Sequence, residues 1–471
     1  MPDSHVDAPG AVSRDPATGA LIERFAFQGP GEIERLLAGA EAAFRVWRDM
    51  PVGARARVYA RLAATLRARA EELAAAITRE MGKVIAESRA EVEKCAATAE
   101  WFAAHGPAML ADEPVQVEGG DAVHVAWRPV GLVLGIMPWN FPLWQAVRAA
   151  VPVMLSGNGF VLKHAPNVMR CAFLLRDAWE DSGLPRGLFA VLNADDDAVA
   201  RVIGDPRIAG VTLTGSARAG AAVAALAGRA LKKSVLELGG VDPFIVLADA
   251  DLDAAVEAGI RARFGNAGQV CLAAKRFIVE APVAEAFTER FVAAARRLRA
   301  GDPLDPATDM GPMAREDLRD GVHEQVTRSV AQGARLLLGG RAVEGPGWFY
   351  EPTVLGGVLP GMAAFEEEVF GPVAALVVAR DAEDALGLAN ASEYGLSGSL
   401  WTADAALAGD MARRMETGGV FVNGASASNP RTPVGGVKRS GYGRELSHFG
   451  VREFANAQTV WVKAVRPLPS S

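Results

Sequence analysis

Two patterns of apolar residues divide the chain. Between residues 31 and 105, apolar positions recur at helical spacing among Ala, Arg and Glu, and one continuous helix is predicted over Ala54–Glu80. Further along, the pattern changes to short apolar runs bounded by Gly or Pro. These runs predict strands at Val130–Met137, Gly159–Leu162, Leu188–Leu192, Ile208–Leu213, Ser234–Leu238 and Phe244–Leu247.

Helical stretches such as Met169–Ser182 and Ala217–Leu231 separate several of these strands. Strands that alternate with helices predict a mostly parallel sheet covered on both faces. The alternation resumes at Asp249 and continues to about residue 440, which predicts a second α/β domain. The tail Phe454–Ala464 predicts one more strand, which is expected to pair with a sheet edge of this subunit or another.

Composition narrows the class of protein. The chain has 471 residues, half of them hydrophobic, which favours two or three domains with large cores. A net charge of −7 gives no electrostatic reason to bind nucleic acid or an anionic membrane. No apolar stretch reaches the length of a membrane span, and Met1–Gly10 lacks the apolar core of a signal peptide. The three cysteines and six histidines are scattered, so we expect no disulfides, no metal site and a cytoplasmic location.

Cys271 is the first candidate for chemistry. Two glycines and two amide side chains precede it within six residues, which indicates a polar, tightly turning segment. Such a turn can offer peptide N–H groups to an oxyanion, and Lys275 and Arg276 nearby would favour the thiolate. A lone cysteine is more often a small buried hydrophobic residue, and we interpret Cys95 and Cys171, which lie in helical patterns, in that way.

Glu237 is the second candidate, because it stands at the end of an apolar strand. If it is buried there, its raised pKa would suit it as a general base. The alternative is a strand-edge glutamate that faces solvent, and the residues alone leave the two equal.

Asn140 lies within Pro138-Trp-Asn-Phe-Pro142, directly after a predicted strand. Two prolines fix a turn at the carboxyl end of that strand, where open α/β sheets bind ligands. The Asn140 amide would then be a donor for a reacting carbonyl. The alternative is a structural corner in which Asn140 bonds to its own backbone.

Thr212–Gly220 closes a strand and opens a helix, and a helix start of this kind attracts a pyrophosphate. The segment lacks the Gly-x-Gly-x-x-Gly pattern. Ser216 could therefore equally be a helix N-cap and nothing more.

Together these segments resemble the aldehyde dehydrogenase superfamily, and the resemblance runs over nearly the whole chain. The motifs that carry it are Pro138–Pro142, Leu236–Gly240, Asn266–Cys271, Glu368–Pro372 and Gly435–Gly441. It implies an α/β fold with a Rossmann-type cofactor domain, a catalytic α/β domain and a small β oligomerisation flap. The corresponding ranges are 1–115 with 130–238, then 239–440, and finally 116–129 with 441–471. A homodimer or homotetramer is expected.

The resemblance also assigns catalytic roles. Cys271 is the nucleophile that forms a thioester, and Glu237 is the general base. The Asn140 amide and the Cys271 N–H form the oxyanion hole.

For the cofactor, the resemblance places Lys163 at the adenosine ribose and Glu368 at the nicotinamide ribose. The other residues expected at the cofactor are Trp139, Gly215, Ser216, Gly220 and Phe370. Pro166 stands where many NAD-preferring members have a glutamate, and His164 is close by. NAD and NADP both remain open, with NAD favoured.

The substrate is expected to be succinate semialdehyde, because the chain is most similar to bacterial succinate semialdehyde dehydrogenases. Such enzymes hold the distal carboxylate with an arginine that matches Arg148, which charge-assisted bonds would make selective. Gly265 replaces a second arginine, so loop residues Ser428 or Arg431 would assist. The alternative for Arg148 is an interior salt bridge. Ala273 replaces a redox-sensing cysteine of some members, so no disulfide switch is expected.

Other functions remain open at this stage. Trp144 and Phe264 would shape the tunnel for a neutral or aromatic aldehyde in a related dehydrogenase. A CoA-acylating enzyme is disfavoured by Glu237. A non-catalytic protein on this fold is disfavoured by the combination of Cys271, Glu237 and Asn140.

Overall fold

The structure, a computed structural model, describes residues 9–118 and 120–464. The first part of the chain forms β1 (Gly10–Arg14), β2 (Leu21–Ala26), α1 (Pro30–Arg48), α2 (Val52–Ala68), α3 (Ala70–Met81) and α4 (Ile85–Met109). The single helix predicted over Ala54–Glu80 is wrong, because the backbone leaves helical geometry at Arg69 (φ −103°, ψ 17°). The Arg69 guanidinium pairs with Glu72 and Asp181 at this break. The apolar repeat continues across it, so periodicity gives no sign of the break.

The strand–helix alternation follows much as predicted, with ends that differ by a few residues. Its elements are β3 (Glu113–Val115), β4 (Ala122–Pro129), β5 (Leu132–Met137), α5 (Trp144–Leu155), β6 (Gly159–His164), α6 (Met169–Asp181), β7 (Phe189–Val191), α7 (Asp196–Gly204), β8 (Ile208–Thr214), α8 (Ala217–Arg229) and β9 (Lys233–Glu237).

The second half alternates in the same way. It contains β10 (Pro243–Val246), α9 (Leu252–Phe264), β11 (Arg276–Glu280), α10 (Ala281–Ala295), α11 (Glu316–Ala331), β12 (Arg335–Leu338), β13 (Thr353–Gly356), α12 (Ala363–Glu366), β14 (Val373–Ala379), α13 (Ala382–Asn390), β15 (Tyr394–Gly395), β16 (Gly398–Trp401), α14 (Ala405–Arg414) and β17 (Val420–Val422). The remaining elements are β18 (Val437–Lys438), β19 (Gly441–Tyr442), α15 (Ser447–Glu453) and β20 (Ala455–Val462).

Two large sheets organise these elements. The first has the order β19-β9-β8-β5-β6-β7, and β5 to β9 run parallel within it. The second has the order β12-β13-β14-β11-β10-β16-β17, with β12 antiparallel to its neighbour. The carboxyl ends of β5, β8 and β9 therefore lie side by side. The segments that follow these strands carry the candidate residues, as expected for an open α/β sheet.

A third sheet joins the predicted tail strand to the rest of the chain. It has the order β20-β4-β3, and β20 pairs with β4 along its full length. The tail strand thus pairs within its own chain and leaves its other edge open. The division into three domains stays a prediction, and its outer ends, residues 1–8 and 465–471, lie outside the described residues. Within residues 9–118 and 120–464, no helix has both the length and the apolar character needed to cross a membrane.

The core of the second sheet is built on a cluster of phenylalanines. Phe277 on β11 is fully buried, and its ring centroid lies 4.7 Å from that of Phe291 and 5.0 Å from that of Phe244. Close packing of this kind leaves little room for the structure to relax when a ring is removed.

Phe277→Ala is therefore expected to lower the free energy of unfolding by about 3–5 kcal/mol, through lost burial and the cavity left behind. Val378→Ala on β14 is the control, because that side chain is 53% exposed. Chemical denaturation of the two variants measures the difference. Equal unfolding midpoints would contradict the assignment of Phe277 to the core.

Candidate active site

Cys271 lies in a loop that leaves helical geometry directly after α9. Asn266 and Ala267 both adopt left-handed backbone conformations (φ 53° and 51°), and Gly268 follows at φ 72°. A Cβ added to Gly268 would lie 2.2 Å from the carbonyl oxygen of Gly371, so the loop packs directly against another backbone segment. The Glu87 carboxylate accepts the N–H of Asn266 at 3.0 Å. The turn predicted before Cys271 is present.

Arg263 holds this loop from beneath. Its guanidinium is fully buried and donates to the carbonyls of Gly268 at 2.6 Å and Gly371 at 2.7 Å. It also donates to the Ala274 carbonyl at 3.3 Å. These bonds tie both ends of the loop to one cation. The sequence did not predict this role, because the groups that Arg263 binds are backbone carbonyls, which no pattern of residue types identifies.

Of the two basic residues that were predicted to favour the thiolate, Lys275 lowers the pKa of Cys271 and Arg276 does not contribute. The Lys275 ammonium donates to the Cys271 carbonyl at 2.6 Å and lies 3.2 Å from Glu368, so its charge is shared. Arg276 donates to backbone carbonyls in other segments and packs over Phe365. The expectation that Arg276 favours the thiolate is wrong, because its guanidinium faces away from the loop.

The Cys271 side chain is half-buried, whereas Cys95 and Cys171 are fully buried in α4 and α6. Burial raises the pKa of Cys271 to about 11, and the charges of Arg148 and Lys275 oppose this shift. Without other groups at the site, Cys271 is therefore a protonated thiol at neutral pH.

Asn140 faces the Cys271 loop and not its own backbone. The side-chain amide nitrogen of Asn140 donates to the backbone carbonyl of Gln269 at 2.9 Å. The backbone carbonyl of Asn140 accepts from the side-chain amide of Asn266 at 2.9 Å. The amide is 2% exposed and lines the same cavity as Cys271. Among the described residues, no acceptor for the Cys271 N–H is found. Asn140 and Cys271 therefore line one cavity, and their role as oxyanion donors stays a prediction.

Glu237 ends β9 and is 3% exposed, so the solvent-facing alternative is not what the structure has. Its Oε1 atom has no hydrogen-bond partner among the described residues. Burial raises the pKa of this carboxyl well above its ordinary value of 4.5, and the charge of Arg148 opposes the shift. A buried carboxyl oxygen without a hydrogen-bond partner costs free energy and is typical of functional sites.

Arg148 occupies the interior salt bridge that was its alternative interpretation. Its Nε lies 2.5 Å from a carboxylate oxygen of Glu445, and its Nη2 lies 3.8 Å from Glu237. Nη2 also donates to Thr214 at 3.2 Å. The side chain is 2% exposed and does not line the cavity of Cys271, so this arrangement gives no support to a direct contact with substrate. The sequence analysis did not predict this role of Glu445, which is far from Arg148 in the chain.

A cavity of about 240 Å³ brings most of the predicted residues together. Its lining comprises Pro138, Trp139, Asn140, Gln145, Thr214, Gly215, Ser216, Leu238, Gly239, Cys271, Leu318, Glu368 and Phe370. The sequence analysis did not predict Gln145 as a lining residue, although it lies on the same helix as Trp144, which was predicted to contact the substrate. The predicted residues that are not part of the lining are Glu237, Lys163 and Gly220, together with the substrate candidates Trp144, Arg148 and Ser428.

The helix start at this cavity has the features of a dinucleotide site. Ser216 caps α8 and accepts the Ala219 N–H at 3.2 Å. A Cβ on Gly220 would lie 2.6 Å from the Leu238 side chain, so this glycine lets α8 pack closely. A helix start beside an aromatic pair, Trp139 and Phe370, suits a pyrophosphate and a flat ring.

Lys163 ends β6 half-buried, and burial lowers its pKa. The neighbouring His164 is fully turned inward, with Nε2 2.7 Å from the Pro142 carbonyl. Burial lowers the pKa of His164 to about 4, so the ring is neutral at pH 7. His164 therefore offers no positive charge to a 2′-phosphate, and Lys163, the last residue but one of β6, is the cation near this strand end.

The remaining candidate substrate residues do not meet at the cavity. Ser428 accepts a hydrogen bond from the Lys94 ammonium at 2.8 Å, and the same ammonium lies 4.2 Å from the Trp144 ring centroid. Phe264 packs against Phe291 in the second core, so it does not shape a tunnel. Lys94 was missed by the sequence, because a lysine on a mixed helix carries no distinctive pattern. For the part of the chain that the structure describes, no group of metal-ligating side chains is found.

The model of the aldehyde dehydrogenase family matches residues 6–460. The chain belongs to this family. It is 57% identical over 451 residues to the succinate semialdehyde dehydrogenase [NAD(P)+] Sad of Escherichia coli, covering 96% of this chain and 97% of that protein. It is 46% identical to succinate-semialdehyde dehydrogenase [NADP(+)] 1 of Mycobacterium tuberculosis, covering 95% of this chain and 98% of the relative.

Solved structures agree with this family membership and with the predicted α/β fold. The succinic semialdehyde dehydrogenase of Streptococcus pyogenes, in complex with NADP+, superposes with a TM-score of 0.94 at 34% identity. That match covers 96% of this chain and all of the other. The succinate-semialdehyde dehydrogenase of Burkholderia pseudomallei superposes with a TM-score of 0.93 at 34% identity, covering 97% of this chain and 95% of that one.

The raised pKa of Cys271 leads to a prediction for the cofactor-free protein. Alkylation by iodoacetamide requires the thiolate, so its rate at Cys271 is expected to increase steadily from pH 7 towards the pKa of about 11. Peptide mass spectrometry follows the label, and the buried Cys95 and Cys171 are internal controls that should stay unlabelled. A rate that levels off near pH 8 would contradict the predicted pKa.

Proposed function

We propose that this aldehyde dehydrogenase oxidises succinate semialdehyde to succinate with NAD or NADP, through a thioester on Cys271. The observation that carries the proposal is the shared cavity in which Cys271 and Asn140 face the start of α8. The names of the relatives support the substrate, since several of them are succinate semialdehyde dehydrogenases.

The first step is addition of the Cys271 thiolate to the aldehyde carbon. The oxygen becomes an oxyanion that accepts hydrogen bonds from the Asn140 amide and the Cys271 N–H. Donors fixed in this way stabilise charge that develops in the transition state. Ser216, Glu368 and Phe370, which line the cavity, would hold an oxidised nicotinamide, and such a group would supply the acceptor for the hydride that the adduct must lose to become a thioester.

The second step is hydrolysis of the thioester. Glu237 removes a proton from water, the resulting hydroxide attacks the thioester carbon, and the carbon–sulfur bond breaks. The carboxylate product leaves and Cys271 regains its sulfur anion or thiol. Burial supports this role, because a carboxyl with a raised pKa is a stronger base than one in water.

Arg148 is a positioning residue in this proposal. It lies between Glu237 and Glu445, so its charge keeps two buried carboxylates in the same site. Without it, the carboxylates would repel each other and the Glu237 side chain would lose its fixed orientation.

The preference for NAD over NADP that the sequence favoured is not supported, because the relatives are described with NAD(P)+ or NADP+. Lys163 at the end of β6 is the side chain that would hold the adenosine ribose or a 2′-phosphate. Initial rates with each cofactor at equal concentration decide between them. A large loss for NADP alone in Lys163→Met would favour contact with the phosphate.

A cytoplasmic homo-oligomer is also proposed. The open edge of β20 carries Trp461 and Val462, which are 53% and 55% exposed. An apolar sheet edge of this kind favours pairing with a second copy. Sedimentation velocity should give a dimer or tetramer, and a monomer at micromolar concentration would contradict this part of the proposal.

Two substitutions test the covalent route. Cys271→Ser should abolish formation of reduced cofactor. Glu237→Gln should leave a first turnover but slow the steady state by about 10²–10⁴-fold, because the thioester forms and is not hydrolysed. A burst of absorbance from the reduced cofactor, together with an acylated Cys271 peptide, is the expected signature. Unchanged turnover in Cys271→Ser would end the proposal.

Arg148→Ala tests the positioning role. Breaking a buried ion pair should lower the free energy of unfolding by about 3–5 kcal/mol. Activity should fall by similar factors for succinate semialdehyde and for butanal, since the base serves both. A loss confined to succinate semialdehyde would instead show that Arg148 binds the distal carboxylate, as the sequence predicted.

A further inference from the structure

The distal carboxylate of the proposed substrate needs a cation, and the structure offers one that sequence comparison did not indicate. Arg148 is engaged by two glutamates, and Gly265 has no side chain. The space next to Gly265 is acidic, because a Cβ there would lie 3.4 Å from a Glu87 carboxylate oxygen. Neither position therefore presents a free positive charge to a ligand.

Lys94 on α4 is in a different situation. Its side chain is half-buried, and among the described residues no carboxylate lies within ion-pair distance of its ammonium. The ammonium instead donates to the Ser428 hydroxyl at 2.8 Å and lies 4.2 Å from the Trp144 ring centroid. A half-buried ammonium with only a hydroxyl and a ring as partners has room for a stronger acceptor.

The position of Lys94 relative to the reaction centre follows from α5. Trp144, which carries the ammonium on its ring, is the chain neighbour of Gln145, and Gln145 lines the cavity with Cys271 and Asn140. On the opposite side, Ser428 belongs to the loop that follows β17. The ammonium thus lies where α4, the start of α5 and this loop meet, and its contact residue Trp144 is one position along the chain from Gln145 of the cavity lining.

We propose that Lys94, together with the Ser428 hydroxyl, binds the distal carboxylate of an ω-carboxy aldehyde and thereby determines the substrate class. This inference rests on the proposed function and replaces Arg148 as the carboxylate ligand. The Trp144 ring holds the ammonium in place, because a cation over an aromatic face is attracted by the ring quadrupole. Burial, and to a smaller extent the positive charge of Arg148, lowers the pKa of Lys94 to about 8. The ammonium form therefore still dominates at pH 7.

The test compares succinate semialdehyde with butanal, which has the same chain length and a methyl group in place of the carboxylate. Lys94→Met is expected to lower kcat/KM for succinate semialdehyde by roughly 10- to 100-fold, mainly through KM, since a hydrogen bond to a charged group is lost. The value for butanal should change much less. Lys94→Arg, which keeps the positive charge, should retain most of the wild-type activity towards the charged substrate.

Two controls separate this effect from damage to the fold. Arg89→Met removes an exposed cation of the same helix, whose partner is Glu71, and should alter neither substrate. Inhibition by succinate, measured with butanal as the substrate, should weaken in Lys94→Met. This measurement does not require the variant to oxidise succinate semialdehyde. If Lys94→Met does not fold, Lys94→Gln, which removes the charge but keeps a polar end group, serves in its place.

The outcomes distinguish this inference from the function on which it rests. Suppose that the wild-type protein prefers succinate semialdehyde. Equal losses of kcat/KM for the two aldehydes in Lys94→Met, or no loss for either, would then overturn the role of Lys94 alone. A wild-type protein that oxidises butanal but not succinate semialdehyde would overturn the proposed substrate and the role of Lys94 together. A selective loss that Lys94→Arg restores supports both.

Discussion

Buried cations that donate to backbone carbonyls are the constraint on which the active site depends. The loop before Cys271 has no regular secondary structure to satisfy its carbonyl groups, and a buried unpaired polar group costs roughly 1–3 kcal/mol. Arg263 serves the Gly268 carbonyl from beneath, and Lys275 serves that of Cys271 itself. With the carbonyls held inward, the Cys271 N–H is left without an internal acceptor among the described residues and is available to a ligand oxygen.

The same use of buried charge appears at the general base. Glu237, Arg148 and Glu445 form a row in which one guanidinium serves two carboxylates. If both carboxylates were ionised, the row would carry a net negative charge in a site with little water, which is unfavourable. One carboxyl therefore holds its proton more tightly than in solution, and for Glu237 burial raises the pKa in this way. A base that exchanges protons near neutral pH follows from this arrangement.

The sequence predicted much of the fold and most of the cavity lining, because strand periodicity and local motifs are encoded over short distances. The runs that became β6 and β8 were recognisable, as was the turn that places Asn140. What it did not predict depends on distant residues. The pairing of Arg148 with Glu445 joins α5 to the segment before α15, which is far away in the chain, and the direction of Arg276 depends on carbonyls at the end of α13. The break at Arg69 was hidden because the apolar repeat continues across it.

The placement of the three thiols has a consequence for oxidative damage. Cys95 and Cys171 are sealed in the interior, and a buried alanine, Ala273, stands two residues after Cys271. If peroxide converts Cys271 to a sulfenic acid, no second cysteine of the described chain is at hand to trap it as a disulfide. Reduction of the sulfenic acid then requires a small thiol from the solution, and further oxidation to the sulfinic acid would inactivate the protein irreversibly. The raised pKa of the resting thiol protects the chain against such loss, because it keeps the reactive anion scarce at neutral pH.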